Sequence, residues 1–387
     1  MFEITGRNVV SNNRPQNVGS KILEQTAISN NTVSVSNFDS KTNLIAQYLD
    51  NLALGNKTQI QKSELCRPEY TNTGINDFEN MVVRDKNDNV VQEVTFLKEG
   101  SKITQNISVK SVDGSSLQKV LTSDGNKKEM TINFIDKEGN TILKEERSYE
   151  IIDDNNAISV HNGEAYKISG LKGCVITVEH NGEKHNVDLN KFIASKTQNL
   201  NGSETGNNIT DAQKEFLISR IKNRPGDMIL KFADEIDSFV YLEGDGFEGW
   251  YQGYGMVPPE KRQTASRTLK TCGKADGMLE LHELGHAVNE LNDKSGQRWS
   301  DKNTEYLNAR DIEIDNVLQN CTQREKHILE KFTTGGANFG KATGADEEFA
   351  ELFGFINNMD IENVSYRTTL LIRNMPKSAM LACQNFS

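Results

Sequence analysis

The sequence predicts an α+β protein, with a β-rich antiparallel N-terminal part followed by a mainly helical part. Three observations carry this expectation. Between about residues 80 and 194, apolar and polar residues alternate with period two and turn dipeptides recur. From Thr210 onward the apolar period becomes helical. Between the two lies an Asn-rich stretch with neither period, SKTQNLNGSETGNN. The boundaries read as a leader over 1–60, a β-rich domain over 61–194, a linker over 195–209 and a helical domain over 210–387.

The leader is rich in Asn, Ser, Thr and Gln, and its only helical candidate is Leu44–Leu52. Such a composition suits a flexible segment: either a tail without a task or a secretion and chaperone-binding segment. In the β-rich part, Ile103–Val109 and Met130–Ile135 alternate cleanly. Turns are marked at Asp113-Gly114, Asp124-Gly125, Glu138-Gly139, Asn162-Gly163 and Asn181-Gly182. Asp85–Val91 and Asp136–Ile142 look alike as strand-turn-strand corners. An antiparallel meander or small sandwich is expected, with His161, His180 and His185 on its surface.

Thr210-Asp211 is an N-cap signal for a helix over Ala212–Ile221, which Pro225-Gly226 ends. A second helix follows, then a short strand over Phe239–Leu242 and a Gly- and aromatic-rich loop over Gly244–Gly255. Beyond about residue 276 the pattern is helical, broken at Gly335-Gly336 and Pro376.

Bulk properties exclude several classes. The net charge of −11 and pI of about 5.2 argue against nucleic acid or an anionic membrane as partner. No apolar stretch approaches the length of a bilayer span, and the N-terminus carries no signal-peptide pattern. The five cysteines form no CxxC pair, which suits free thiols in a reducing compartment.

The chemistry concentrates in His282-Glu283-Leu284-Gly285-His286. On a helix started by Asp276 or Gly277, histidines four apart share one face and can share a metal ion. Glu283 stands beside that row, where it can act as a base toward a water. Leu281, Leu284, Val288 and Leu291 supply the packed face. Gly285 costs up to about 1 kcal/mol relative to alanine, so close approach of another backbone is expected there. A catalytic zinc site takes three protein ligands. His327 lies on a charged helical face and reads as solvated. Glu347 and Glu351 stand four apart on the polar side of a helix whose stripe is Phe349, Leu352, Phe353 and Ile356, interleaved with the small residues Ala350 and Gly354. Either glutamate is a candidate third ligand, on a helix packed closely against another.

These residues resemble a known family. His282–Asn289, reading HELGHAVN, is similar to the HExGHAVD helix of the anthrax-lethal-factor-type zinc metallopeptidases. Glu347–Phe353 is similar to that family's E-x-F-A-E-x-F helix, and Asn374-Met-Pro-Lys377 to its Asn-x-Pro-Lys stretch. The resemblance covers roughly residues 225–385. It implies a zincin-like metallopeptidase domain over 210–387, with His282, His286 and Glu347 holding zinc, Glu283 as general base, and Glu351 orienting a ligand from behind. It further implies a secreted bacterial toxin or effector delivered into the host cell cytoplasm, cleaving a host protein. Two positions depart from the family pattern. Asn289 replaces an aspartate, and Gly335–Gly344 has Phe339 where the family has an oxyanion-stabilising tyrosine. That role then falls to Tyr366, to Tyr254 or to zinc alone. The missing tyrosine also supports a different expectation, a non-enzymatic secreted host-binding protein with a degenerate zincin domain.

Overall fold

The alternation over residues 80–194 is the pleat of one antiparallel sheet. Eleven strands follow one another in chain order: β1 (Glu69–Asn72), β2 (Glu79–Arg84), β3 (Val90–Glu99), β4 (Lys102–Lys110), β5 (Ser116–Asp124), β6 (Lys127–Ile135), β7 (Thr141–Asp153), β8 (Asn156–His161), β9 (Glu164–Ser169), β10 (Val175–His180) and β11 (Glu183–Asp188). The computed structural model describes residues 65–200, 203–244, 249–273, 277–335 and 340–386. The leader, the helical candidate Leu44–Leu52, Asp276 and Phe339 lie outside the described residues.

Local chemistry explains the meander. Asn162-Gly163 and Asn181-Gly182 take positive φ at both positions, which closes two-residue hairpins whose twist matches the strands. The two similar corners fold alike: the amides of Asn89 and Asn140 donate to the Asp85 and Asp136 carboxylates at 2.9 and 2.7 Å. One sheet face buries Val83, Val94, Ile107, Leu117, Ile132 and Val178, which join the helices in one core.

The chain then builds a second sheet, from β12 (Lys196–Asn199), β13 (Glu204–Asn208), β14 (Ser238–Glu243), β15 (Gly249–Gln252) and β16 (Thr268–Cys272). Its order is β13-β12-β14-β16-β15, with β14 parallel to β12 and β16 and β15 antiparallel on the edge. The expected linker over 195–209 is therefore corrected: β12 and β13 occupy it. Thr197 is fully buried, its hydroxyl bonded to Thr205 and Glu243 at 2.7 and 2.6 Å. Four residues are too few for alternation to stand out, and Asn- and Thr-rich composition hides a strand held by side-chain hydrogen bonds.

The helices are α1 (Asp211–Lys222), α2 (Gly226–Glu235), α3 (Gly277–Asn289), α4 (Trp299–Lys302), α5 (Thr304–Asn320), α6 (Gln323–Thr333), α7 (Gly340–Asn357), α8 (Tyr366–Asn374) and α9 (Pro376–Phe386). Thr210 caps α1 in a capping box with Gln213. Pro376 opens α9, whose first amides, those of Lys377 and Ser378, donate to Glu313 at 2.7 and 3.1 Å. No helix among the described residues is long and apolar enough to cross a membrane.

All described residues belong to one compact unit, so the change of period near residue 200 separates types of structure and not packed bodies. Helix α8 lies on the large sheet, where Gln92 donates to the Thr369 carbonyl at 3.3 Å and the Val112 amide to the Arg373 carbonyl at 3.0 Å. Lys119 projects from β5 into the core and donates to the carbonyls of Phe355 and Asn358 at the end of α7. An ammonium there complements the negative end of the helix. Burial pushes its pKa down to about 7.

His161 is not a surface residue. It sits between the Glu145 and Asp227 carboxylates, at 3.1 and 3.2 Å, and ties β8 to α2. His180 is half-buried and stacks on Tyr166, while His185 is exposed. The polar face that a strand shows to solvent in sequence is covered here by helix, which local alternation does not reveal.

Candidate metal centre

The centre is made by two helices that cross at glycines. A Cβ on Gly285 would meet the Ala350 Cα at 2.8 Å, and a Cβ on Gly354 would meet the His282 amide nitrogen at 3.1 Å. Helices α3 and α7 therefore touch backbone to backbone, which explains a glycine in the middle of α3 despite its poor propensity. The contact brings Glu347 and Glu351 onto the two histidines. Leu281 and Leu284 bury the opposite side of α3.

The imidazoles converge. Nε2 of His282 lies 3.3 Å and Nε2 of His286 lies 3.8 Å from the same Glu347 Oε2. One ligand atom from each of these three residues falls within 4.8 Å of the others. Glu347 Oε2 is buried and faces cationic or proton-bearing nitrogens only: both imidazoles and the Lys331 ammonium at 2.7 Å. Two imidazole nitrogens and a carboxylate oxygen form a donor set that suits a divalent transition metal such as zinc. This buried group can hold a metal ion.

The far nitrogen of each ring has its own carboxylate. Nδ1 of His282 is 3.4 Å from Glu351, and Nδ1 of His286 is 2.9 Å from Asp346. A carboxylate on Nδ1 keeps the proton there and turns the Nε2 lone pair inward. These carboxylates are themselves held. Asn289 donates to Asp346 at 2.8 Å, and Arg298 lies 3.3 Å from it. Arg367 and Thr368 donate to Glu351. Asn289 is thus an arm on Asp346, and it also bonds Ser300 through both its amide nitrogen and its oxygen.

Charge balance follows. Burial alone would lower the pKa of His282, but Glu347 and Glu351 against its two nitrogens raise it to about 9. Burial likewise opposes a charge on His286, and Asp346 outweighs it and raises the pKa. Glu351 is held down at about 2, since the His282 contact outweighs its burial. Burial favours the neutral form of Glu347, yet His282, His286 and Lys331 draw its pKa far below the carboxylate range. The centre concentrates negative charge and answers it with cations.

Glu283 is buried on α3 beside the histidine row. A Cβ on Gly249 would lie 3.3 Å from its Cγ, so edge strand β15 runs alongside it. The stretch expected as an aromatic loop is instead β15 and the turn after it, and it is pinned to the end of the same helix: Glu290 accepts hydrogen bonds from the Tyr251 hydroxyl at 2.7 Å and from the amides of Tyr254 and Gly255 at 2.9 and 2.7 Å.

The structure brings His282, Glu283, His286, Glu347 and Glu351 together and leaves the candidate tyrosines elsewhere. The Tyr254 ring faces Arg267 and Lys294 at 5.8 and 5.9 Å. Burial pushes the Tyr366 hydroxyl up to about 12, and the charges nearest in effect are those of Glu325 and Arg324. Among the described residues, neither tyrosine makes a hydrogen bond or ring contact to the two histidines or Glu347. His327 is exposed as expected, 3.4 Å from Glu330. Asp346, Arg298 and Lys331 were not singled out in sequence. A second acid directly before Glu347 was the one signal for Asp346; Lys331 and Arg298 are joined to the centre only by the fold.

Comparison with family models, with curated proteins and with solved structures finds no match to this chain.

Proposed function

We propose that this chain is a zinc-dependent metalloendopeptidase of the zincin type, similar to the anthrax-lethal-factor-type enzymes. The observation that carries the reading is the convergence of both histidine Nε2 atoms on the Glu347 oxygen, with Glu283 on the same helix. His282, His286 and Glu347 would hold the ion. A zinc ion so held supplies a Lewis acid that brings the pKa of a water toward neutrality and polarises a carbonyl.

The remaining chemistry belongs to side chains of this protein. Asp346 and Glu351 hold the Nδ1 protons, which fixes both rings. The Glu283 carboxylate takes the proton of the attacking water and hands it to the leaving amine as the C–N bond breaks. Strand β15 hydrogen-bonds only to β16 among the described residues, so its outer edge can pair with an extended chain. An extended peptide laid there passes beside Glu283, which favours a peptide over another hydrolysable substrate. Action on a host-cell protein after secretion, with a chaperone at the leader, rests on the family resemblance.

The test compares the native chain with Glu283→Gln. Metal content is measured on both, and each is incubated with host-cell lysate and the new protein termini are read by mass spectrometry. The expected result is about one zinc per chain in both and new termini with the native chain alone. Zinc without new termini in either protein would favour the non-enzymatic binding reading. Loss of zinc from the Gln variant with its fold intact would remove Glu283 from the role of base.

A further inference from the structure

We propose that Lys331 is the group that neutralises the negative charge developing on the substrate carbonyl oxygen, a proposal that rests on the metallopeptidase reading above. Lys331 stands in the last turn of α6, and its ammonium lies 2.7 Å from Glu347 Oε2, the oxygen on which both imidazoles converge. Its side chain is 42% exposed where that of Glu347 is 19% exposed, so the ammonium approaches from the solvent side.

The other cations are placed differently. Arg298 lies on Asp346 and Arg367 on Glu351, behind the imidazoles at their Nδ1 atoms. Lys331 is the described cation on the Nε2 side, where anything bound at the centre must sit. An ammonium has three donors, and Glu347 Oε2 engages it from one direction. Among the described residues the rest meet no other partner and are available to an oxygen bound beside Glu347, and a four-carbon stem lets the head turn through a few ångströms without moving α6. In peptide hydrolysis the carbonyl oxygen gains charge as water adds and loses it as the C–N bond breaks. Lys331 follows that charge without transferring its own proton. The alternative role is a counter-ion for Glu347 alone, idle once a divalent cation is bound.

The two roles separate on the cobalt-substituted full-length protein, whose visible absorption reports both metal uptake and anion binding. The probe is acetohydroxamate, an anion that binds metals through its oxygens. Lys331→Met is expected to take up Co2+ no more weakly than the native chain and to bind acetohydroxamate about 10- to 100-fold more weakly, the worth of a charge-assisted hydrogen bond. Lys331→Arg is expected to recover most of that loss. Cleavage by Lys331→Met, measured on any protein the native chain cuts, should fall about 10²- to 10³-fold in kcat. Unchanged acetohydroxamate binding in Lys331→Met would overturn the proposal and leave the metallopeptidase reading standing. A native chain that takes up no Co2+ would overturn both.

Discussion

His161 and His282 each sit between two carboxylates, and only His282 belongs to the candidate metal centre. His161 has Glu145 at 3.1 Å on Nε2 and Asp227 at 3.2 Å on Nδ1. His282 has Glu347 at 3.3 Å on Nε2 and Glu351 at 3.4 Å on Nδ1. Around His161, the acids occupy opposite ends of the ring and Arg147 bridges Asp227 and the imidazole, so no single point is within reach of three donors. Around His282, a second imidazole turns its Nε2 to the same carboxylate oxygen, and a common point exists. Convergence, and not the number of charges, distinguishes a site that can bind an ion from a clamp between a sheet and a helix.

The comparison can be broken by mutation, beginning with the largest effect. Glu347→Ala should lower zinc affinity, measured by competition with a chromophoric chelator, well beyond the roughly 10- to 100-fold typical of a group behind a ligand. Glu145→Ala should leave it unchanged. Next in size are the clamps. Asp227→Ala leaves Arg147 buried without its partner, and Glu348→Ala does the same to Arg310, which Glu348 meets at 2.8 Å. Each should cost about 3–5 kcal/mol in denaturant unfolding, with zinc affinity of the folded protein near native.

Asp346→Asn should weaken zinc about 10- to 100-fold, with little change in unfolding of the metal-free chain. The smallest effect is one of pH. Burial opposes ionisation of Asp227, but Arg147 and His161 outweigh it and hold the pKa at about 2 against an ordinary 3.8. A depressed carboxyl stabilises the fold above the ordinary value. Its contribution of about 2 kcal/mol should be complete above about pH 4 and vanish as pH falls through about 2. Asp227→Asn should flatten that part of the stability–pH curve of the metal-free protein.

Much of the centre was legible because its grammar is local. The i, i+4 histidines, the paired glutamates and the small residues Gly285, Ala350 and Gly354 all report on one helix crossing another. The α+β division was legible too, since alternation and helical periodicity each span many residues. What escaped lies in contacts between distant segments. Lys331 meets Glu347 because α6 packs on α7, and Asp346 meets His286 because α7 crosses α3. The strands at 195–209 are too short to show a period. His161 reads as a turn residue until α2 covers it.

The Lys119 bonds to the end of α7 set an order of events. The large sheet is complete at Asp188, yet α7 begins at Gly340 and α8 at Tyr366. A ribosome adding 5–20 residues per second finishes the sheet on the order of ten seconds before the helices that cover β3 to β5 emerge. Until then Ile107, Leu117 and Lys119 face water on a broad strand surface. Contacts this distant in sequence also slow closure once the chain is complete. The nascent protein is therefore a sheet waiting for its lid, and α7, which carries Glu347 and Glu351, is among the last parts to be made and seated.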